Sequence, residues 1–78
     1  MARIRKLTVK PPVTSVHPTE VDAEVREVEV ASGEKLIQLS TFGSDQRVSE
    51  PKVSQTIQID RNVATELRAQ IDRVFGAL

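Results

Sequence analysis

Hydrophobic residues near the end of the chain recur at three- and four-residue spacing: Val63, Ala64, Leu67, Ile71, Val74, Phe75 and Leu78. That spacing lays one apolar stripe along a 3.6-residue helix and predicts a helix from about residue 61 to residue 75. Arg61, Asn62, Thr65, Glu66, Arg68, Asp72 and Arg73 fall on the other side, which should be wet. Asp60 is suited to accept from the first free backbone N–H groups, and Gly76 stands where a helix commonly unwinds. A stripe this wide needs cover, and the upstream candidates are strands.

The upstream pattern has period two. Val21, Ala23 and Val25 share one face, with Asp22 and Glu24 on the other. The parity slips at Val28 and Val30, so a β-bulge near Arg26 and Glu27 is expected to keep the valines on the core side; the competing reading, a strand covered on both faces, is disfavoured by the acidic residues. A turn at Gly33 leads into a strand with Ile37, Leu39 and Thr41 on one face and Leu36, Gln38, Ser40 and Phe42 on the other. A loop with Gly43, Ser44, Asp45 and Pro51 as breakers separates it from the last strand, which sets Val53, Gln55, Ile57 and Ile59 against Ser54, Thr56 and Gln58. Near the start, Leu7 and Val9 alternate with Thr8 and Lys10 as an optional fourth strand, before Pro11, Pro12 and Pro18 disfavour helix.

The expected fold is α+β: an antiparallel sheet of three or four strands followed by one C-terminal amphipathic helix packed on one face. Residues 1–19 read as a basic, proline-containing arm and residues 20–78 as a single domain. With the aliphatic side chains turned towards the helix, the opposite face would present Gln38, Ser40, Phe42, Ser54, Thr56 and Gln58, polar and almost uncharged.

Composition narrows the chemistry. A chain of 78 residues buries only about 60% of its unfolded surface as a monomer, which leaves room for self-association. There is no cysteine and a single histidine, His17, so thiolate chemistry and a multi-histidine metal site within one chain are excluded. No apolar run approaches the roughly 20 residues of a membrane span, and the start lacks the apolar core of a signal peptide. The expectation is a soluble cytoplasmic protein with no membrane partner. Ser15 and His17 would share a strand face, but nothing supplies an orienting partner or an oxyanion site, so no enzyme activity and no cofactor are expected.

The net charge of zero conceals an uneven distribution. Arg3, Arg5, Lys6 and Lys10 fall in the first ten residues with no acid among them. Residues 20–34 carry Glu20, Asp22, Glu24, Glu27, Glu29 and Glu34 against Arg26 alone. An anionic partner would therefore meet the arm or the later basic residues.

The order of GEKLIQLSTFG as a strand, DQRVSEPKVSQTIQI as a loop and returning strand, and DRNVATELRAQI as a helix resembles the transcriptional coactivator PC4-like domains. Those are small dimeric binders of single-stranded nucleic acid, and the similar region runs from about residue 29 to residue 75. The resemblance implies a homodimer packed through its helices, with Ile71, Phe75 and Leu78 at the interface. It also implies a ligand path along Lys35, Phe42, Arg47, Lys52, Ser54 and Thr56. Independently of the resemblance, the basic arm residues Arg3, Arg5, Lys6 and Lys10 could close over the phosphates of such a ligand. This chain departs from the pattern in having no Trp or Tyr, and Asp45 and Glu50 offset Arg47 and Lys52. TFGSDQR and PKVSQTIQ also look like a group of very short bacterial or phage-type proteins with no established activity. The resulting expectation is non-enzymatic binding of single-stranded nucleic acid, with a protein-interaction or regulatory module using the same sheet face as the alternative.

Overall fold

The structure, a computed structural model, describes residues 1–43 and 52–78. Strands β1 (Ala2–Arg3), β2 (Ala23–Glu29), β3 (Lys35–Phe42) and β4 (Val53–Ile59) precede one helix, α1 (Arg61–Phe75). The strands form one sheet in the order β1-β4-β3-β2, so the fold is α+β with a C-terminal helix, as the alternation and the helical stripe indicate.

Three details differ from expectation. The fourth strand is Ala2–Arg3, not the segment around Leu7 and Val9, and it pairs parallel to β4 with Ala2 opposite Ile57 and Arg3 opposite Gln58. The first residues of the arm therefore belong to the sheet. Strand β2 pairs residue for residue with β3 from Ala23 opposite Thr41 to Glu29 opposite Lys35, so no bulge sits at Arg26 and Glu27. The irregularity lies between β3 and β4, where Thr41 faces Gln55 but Phe42 faces Val53. With β2 regular, its valines divide between the two faces, Val25 on one and Val28 on the other.

The third difference concerns which face is shielded. Directly paired residues project to the same side of a sheet. One face therefore carries Val28 and Leu36, then Arg26, Gln38 and Gln58, then Glu24, Ser40 and Thr56. The other carries Glu27, Ile37 and Ile59, then Val25, Leu39, Ile57 and Ala2, then Ala23, Thr41 and Gln55. The first face is the more shielded along β3 and β4, where Leu36 and Ser40 are each only 6% exposed and Gln38, Thr56 and Gln58 are half-buried, while Glu24 and Arg26 of β2 are exposed. On the second, Val25, Ile37, Leu39 and Ile57 are 37 to 69% exposed. The aliphatic residues expected under the helix thus form the open face, and the Ser, Thr and Gln residues expected to face a ligand lie on the shielded one.

Polar side chains can be shielded because they satisfy one another. The Ser40 and Thr56 hydroxyls bond at 3.1 Å, and Gln58 Nε2 donates to Gln38 Oε1 at 2.9 Å. Among the described residues no buried side-chain nitrogen or oxygen lacks a partner, so the desolvation cost of these groups is offset.

The junction between sheet and helix is one residue long. Asp60 is extended, and its Oδ1 accepts from the Val63 backbone N–H at 2.9 Å, which caps the helix. Gly76 ends it at φ 80°, a left-handed conformation that glycine adopts without a Cβ penalty, with its N–H donating to the Asp72 carbonyl at 2.8 Å. Gly33 likewise takes φ 91° in the β2–β3 turn, where its N–H donates to Val30. Of the whole apolar stripe, only Val63 in the first turn is buried.

Candidate nucleic-acid interface

The strand order sorts the charges. Strand β1 and the basic residues after it occupy one edge, and β2, with exposed Glu24, Glu27 and Glu29, occupies the other. A sequence of zero net charge therefore folds into a basic edge and an acidic edge.

Arg3 holds the basic edge in place. Its guanidinium donates to Glu34 Oε1 at 2.8 Å and lies 3.5 Å from Asp60 Oδ2, tying β1, the β2–β3 turn and the helix N-terminus together. The Val63 N–H bond, assisted by Arg3, holds the Asp60 carboxyl below its ordinary value of 3.8 against a smaller opposing effect of burial. Arg3 is thus largely occupied with structure. Arg5 and Lys6 are exposed, and among the described residues neither is engaged in an ion pair. With Arg3, Ile4 and Asp60 they line an open groove of about 740 Å³. The arm is anchored on both sides of them: Ile4 N–H donates to the Gln58 carbonyl at 2.9 Å, Leu7 is half-buried, and Leu7 and Val9 share a hollow with Glu66, Ala69 and Gln70 of the helix. Arg73, one turn on, donates to Gln70 Oε1 at 2.8 Å.

The remaining candidates do not form one patch. Phe42 is half-buried, and Lys52 and Ser54 are exposed at the far end of the β3–β4 pair. Four residues of strand, about 13 Å at 3.3 Å each, separate Phe42 from the level of Gln38, Gln58 and Arg3. The stretch between is closed by the Ser40–Thr56 bond, so Thr56 is not free to read a base, and Ser54 bonds to Thr41 at 3.0 Å. Lys35 is paired with Glu27 at 2.9 Å across the β2–β3 ladder. Arg47 lies outside the described residues. Of the expected dimer contacts, Ile71 is half-buried, whereas Phe75 and Leu78 are exposed.

Sequence reasoning missed the structural use of Arg3. Its signal was the parity of Ala2 and Arg3 beside an acid-capped helix start, too short a pattern to register as a strand. Among the described residues no group of three or more His, Cys, Asp or Glu side chains is placed to hold a metal ion, and no helix is long and apolar enough to cross a membrane. Comparison with known protein families, curated proteins and solved structures finds no match for this chain.

Proposed function

We propose that the chain is a non-enzymatic binding subunit for single-stranded nucleic acid, working as a small homodimer. The observation that carries the reading is the separation of charge across the sheet, which leaves Arg5 and Lys6 exposed on one edge beside an open groove. Cations along an edge hold phosphates without regard to sequence, and an exposed ring face adds about 1–3 kcal/mol for each base stacked on it. Phe42, at the other end of the shielded face, is the candidate ring. The ligand is thus gripped at the two ends of the sheet rather than along its middle.

The test is fluorescence anisotropy of a labelled single-stranded oligonucleotide at two salt concentrations. Binding should weaken steeply with salt, and Arg5→Ala with Lys6→Ala should lower the log–log salt slope by about 1.4, the value for two lost single-strand phosphate contacts. An unchanged slope removes both residues from the interface. Absence of binding by the wild-type chain at low salt favours a second reading, a protein-interaction or regulatory module, which the open aliphatic face supports.

A further inference from the structure

The chain carries two apolar surfaces that it does not cover itself. One is the row Val25, Leu39 and Ile57 with the neighbouring Ile37. The other is the distal helix stripe, where Leu67, Val74 and Phe75 are 39 to 72% exposed. Leu36 and Val63 are the buried hydrophobic residues among those described, a core too small to hold a domain of this length on its own. The total exposed surface is 7161 Å², where a compact chain of 8.6 kDa would expose about 4,700 Å². The radius of gyration is 14.9 Å, against about 11.5 Å for a compact fold. Part of that excess belongs to the extended segment before β2. The open face and the open stripe lie on regular elements, where bare apolar area calls for a partner.

We infer that the occupant of the aliphatic sheet face is the helix stripe of a second copy of this chain, exchanged reciprocally about a two-fold axis. The single-residue junction at Asp60, held by the Val63 cap and the Arg3 ion pairs, sets the direction in which the helix leaves the sheet, and in that position both the stripe and the open face are exposed. A second copy brings both missing pieces, so one isologous contact covers both surfaces twice. Packing sheet on sheet would cover the strands and leave both helices bare. The dimensions agree: fifteen helical residues span about 22 Å and seven strand residues about 23 Å. A stable dimer needs about 800 Å² from each partner, to be drawn from the sheet face and the helix stripe together. Charge agrees as well. Glu29 lies at the end of the aliphatic face beyond the Glu27–Lys35 pair, and Arg68 follows Leu67 at the border of the stripe, so the partner's helix brings a cation to that end. The inference rests on the homodimer of the proposed reading but not on its nucleic acid, and measurement of the free chain tests it apart from oligonucleotide binding.

The experiment uses the absence of native cysteine. Leu39→Cys and Phe75→Cys chains are mixed and mildly oxidised, and sedimentation of the wild type and of Leu39→Glu is measured without nucleic acid. The expected results are a disulfide joining position 39 of one copy to position 75 of the other, twice the chain mass for the wild type, and a fall to one chain mass for Leu39→Glu. Should Leu39→Glu fail to fold, the mixed disulfide still decides. A wild-type chain that sediments as a monomer throughout the micromolar range, or Leu39→Cys that cross-links to itself in preference to Phe75→Cys, overturns the proposal.

Discussion

The two faces of the sheet differ in a way opposite to their chemistry. The face bearing Gln38, Ser40, Thr56 and Gln58 is shielded, and the face bearing Val25, Ile37, Leu39 and Ile57 is open. Alternation assigns residues to faces, but it does not say which face the chain itself will cover. Polar side chains tolerate cover when they pair across strands, as Ser40 with Thr56 and Gln38 with Gln58 do. Aliphatic side chains are open on the other face, where the inferred contact would have a second copy supply the cover.

Adjacent residues on β3 provide the largest expected contrast. Leu36→Ala removes one of the two hydrophobic side chains buried among the described residues and should cost about 2–5 kcal/mol. Ile37→Ala, one position on and on the open face, should cost no more than about 1 kcal/mol where the chain is monomeric. Denaturant titration of both variants at low protein concentration measures the difference, and equal losses would show that both faces are covered within one chain.

A smaller effect probes the shielded polar face. Thr56→Val leaves the buried Ser40 hydroxyl without its partner and should cost about 1–3 kcal/mol. The double change Ser40→Ala with Thr56→Val removes both polar groups and should recover most of that loss. A harmless single variant would mean that water reaches Ser40 and that this face is not shielded.

The smallest effect concerns the junction that sets where the helix points. Because the Asp60 carboxyl is held below its ordinary value, the stability it contributes is fully present above about pH 3.8 and is lost as pH falls through the lowered value. Carboxyl chemical shifts followed through an acid titration should show that depression, and Arg3→Gln should move the titration of Asp60 upward. No movement would detach Arg3 from the junction.

Much of the fold was legible because it is local. Strand β4 and the helix follow from period two and period 3.6 on either side of Asp60, and the cap was visible as an acid before an apolar stripe. The β2–β3 turn was marked by Gly33. What escaped is non-local. Two residues, Ala2 and Arg3, are too few to show a strand period, and their parallel pairing depends on the end of a strand more than fifty positions away. The parity slip in β2 was explained by a bulge, whereas the strand stays regular and its valines serve both faces, Val28 beside Leu36 and Val25 beside Leu39. Polarity alone suggests an open, ligand-facing surface at Ser54 and Thr56, whereas the Ser40–Thr56 bond lets polar side chains lie on the covered side. Charge segregation could be read only halfway: the basic and acidic stretches are plain in the sequence, but the strand order puts them on opposite edges.

The dependence of the wild-type melting temperature on protein concentration tests the two-face account most directly. If the aliphatic face is covered by a second copy, unfolding is linked to dissociation and the melting temperature rises as the chain is concentrated. A melting temperature that stays constant across the micromolar range would mean that one chain is stable with that face open, and would contradict the account.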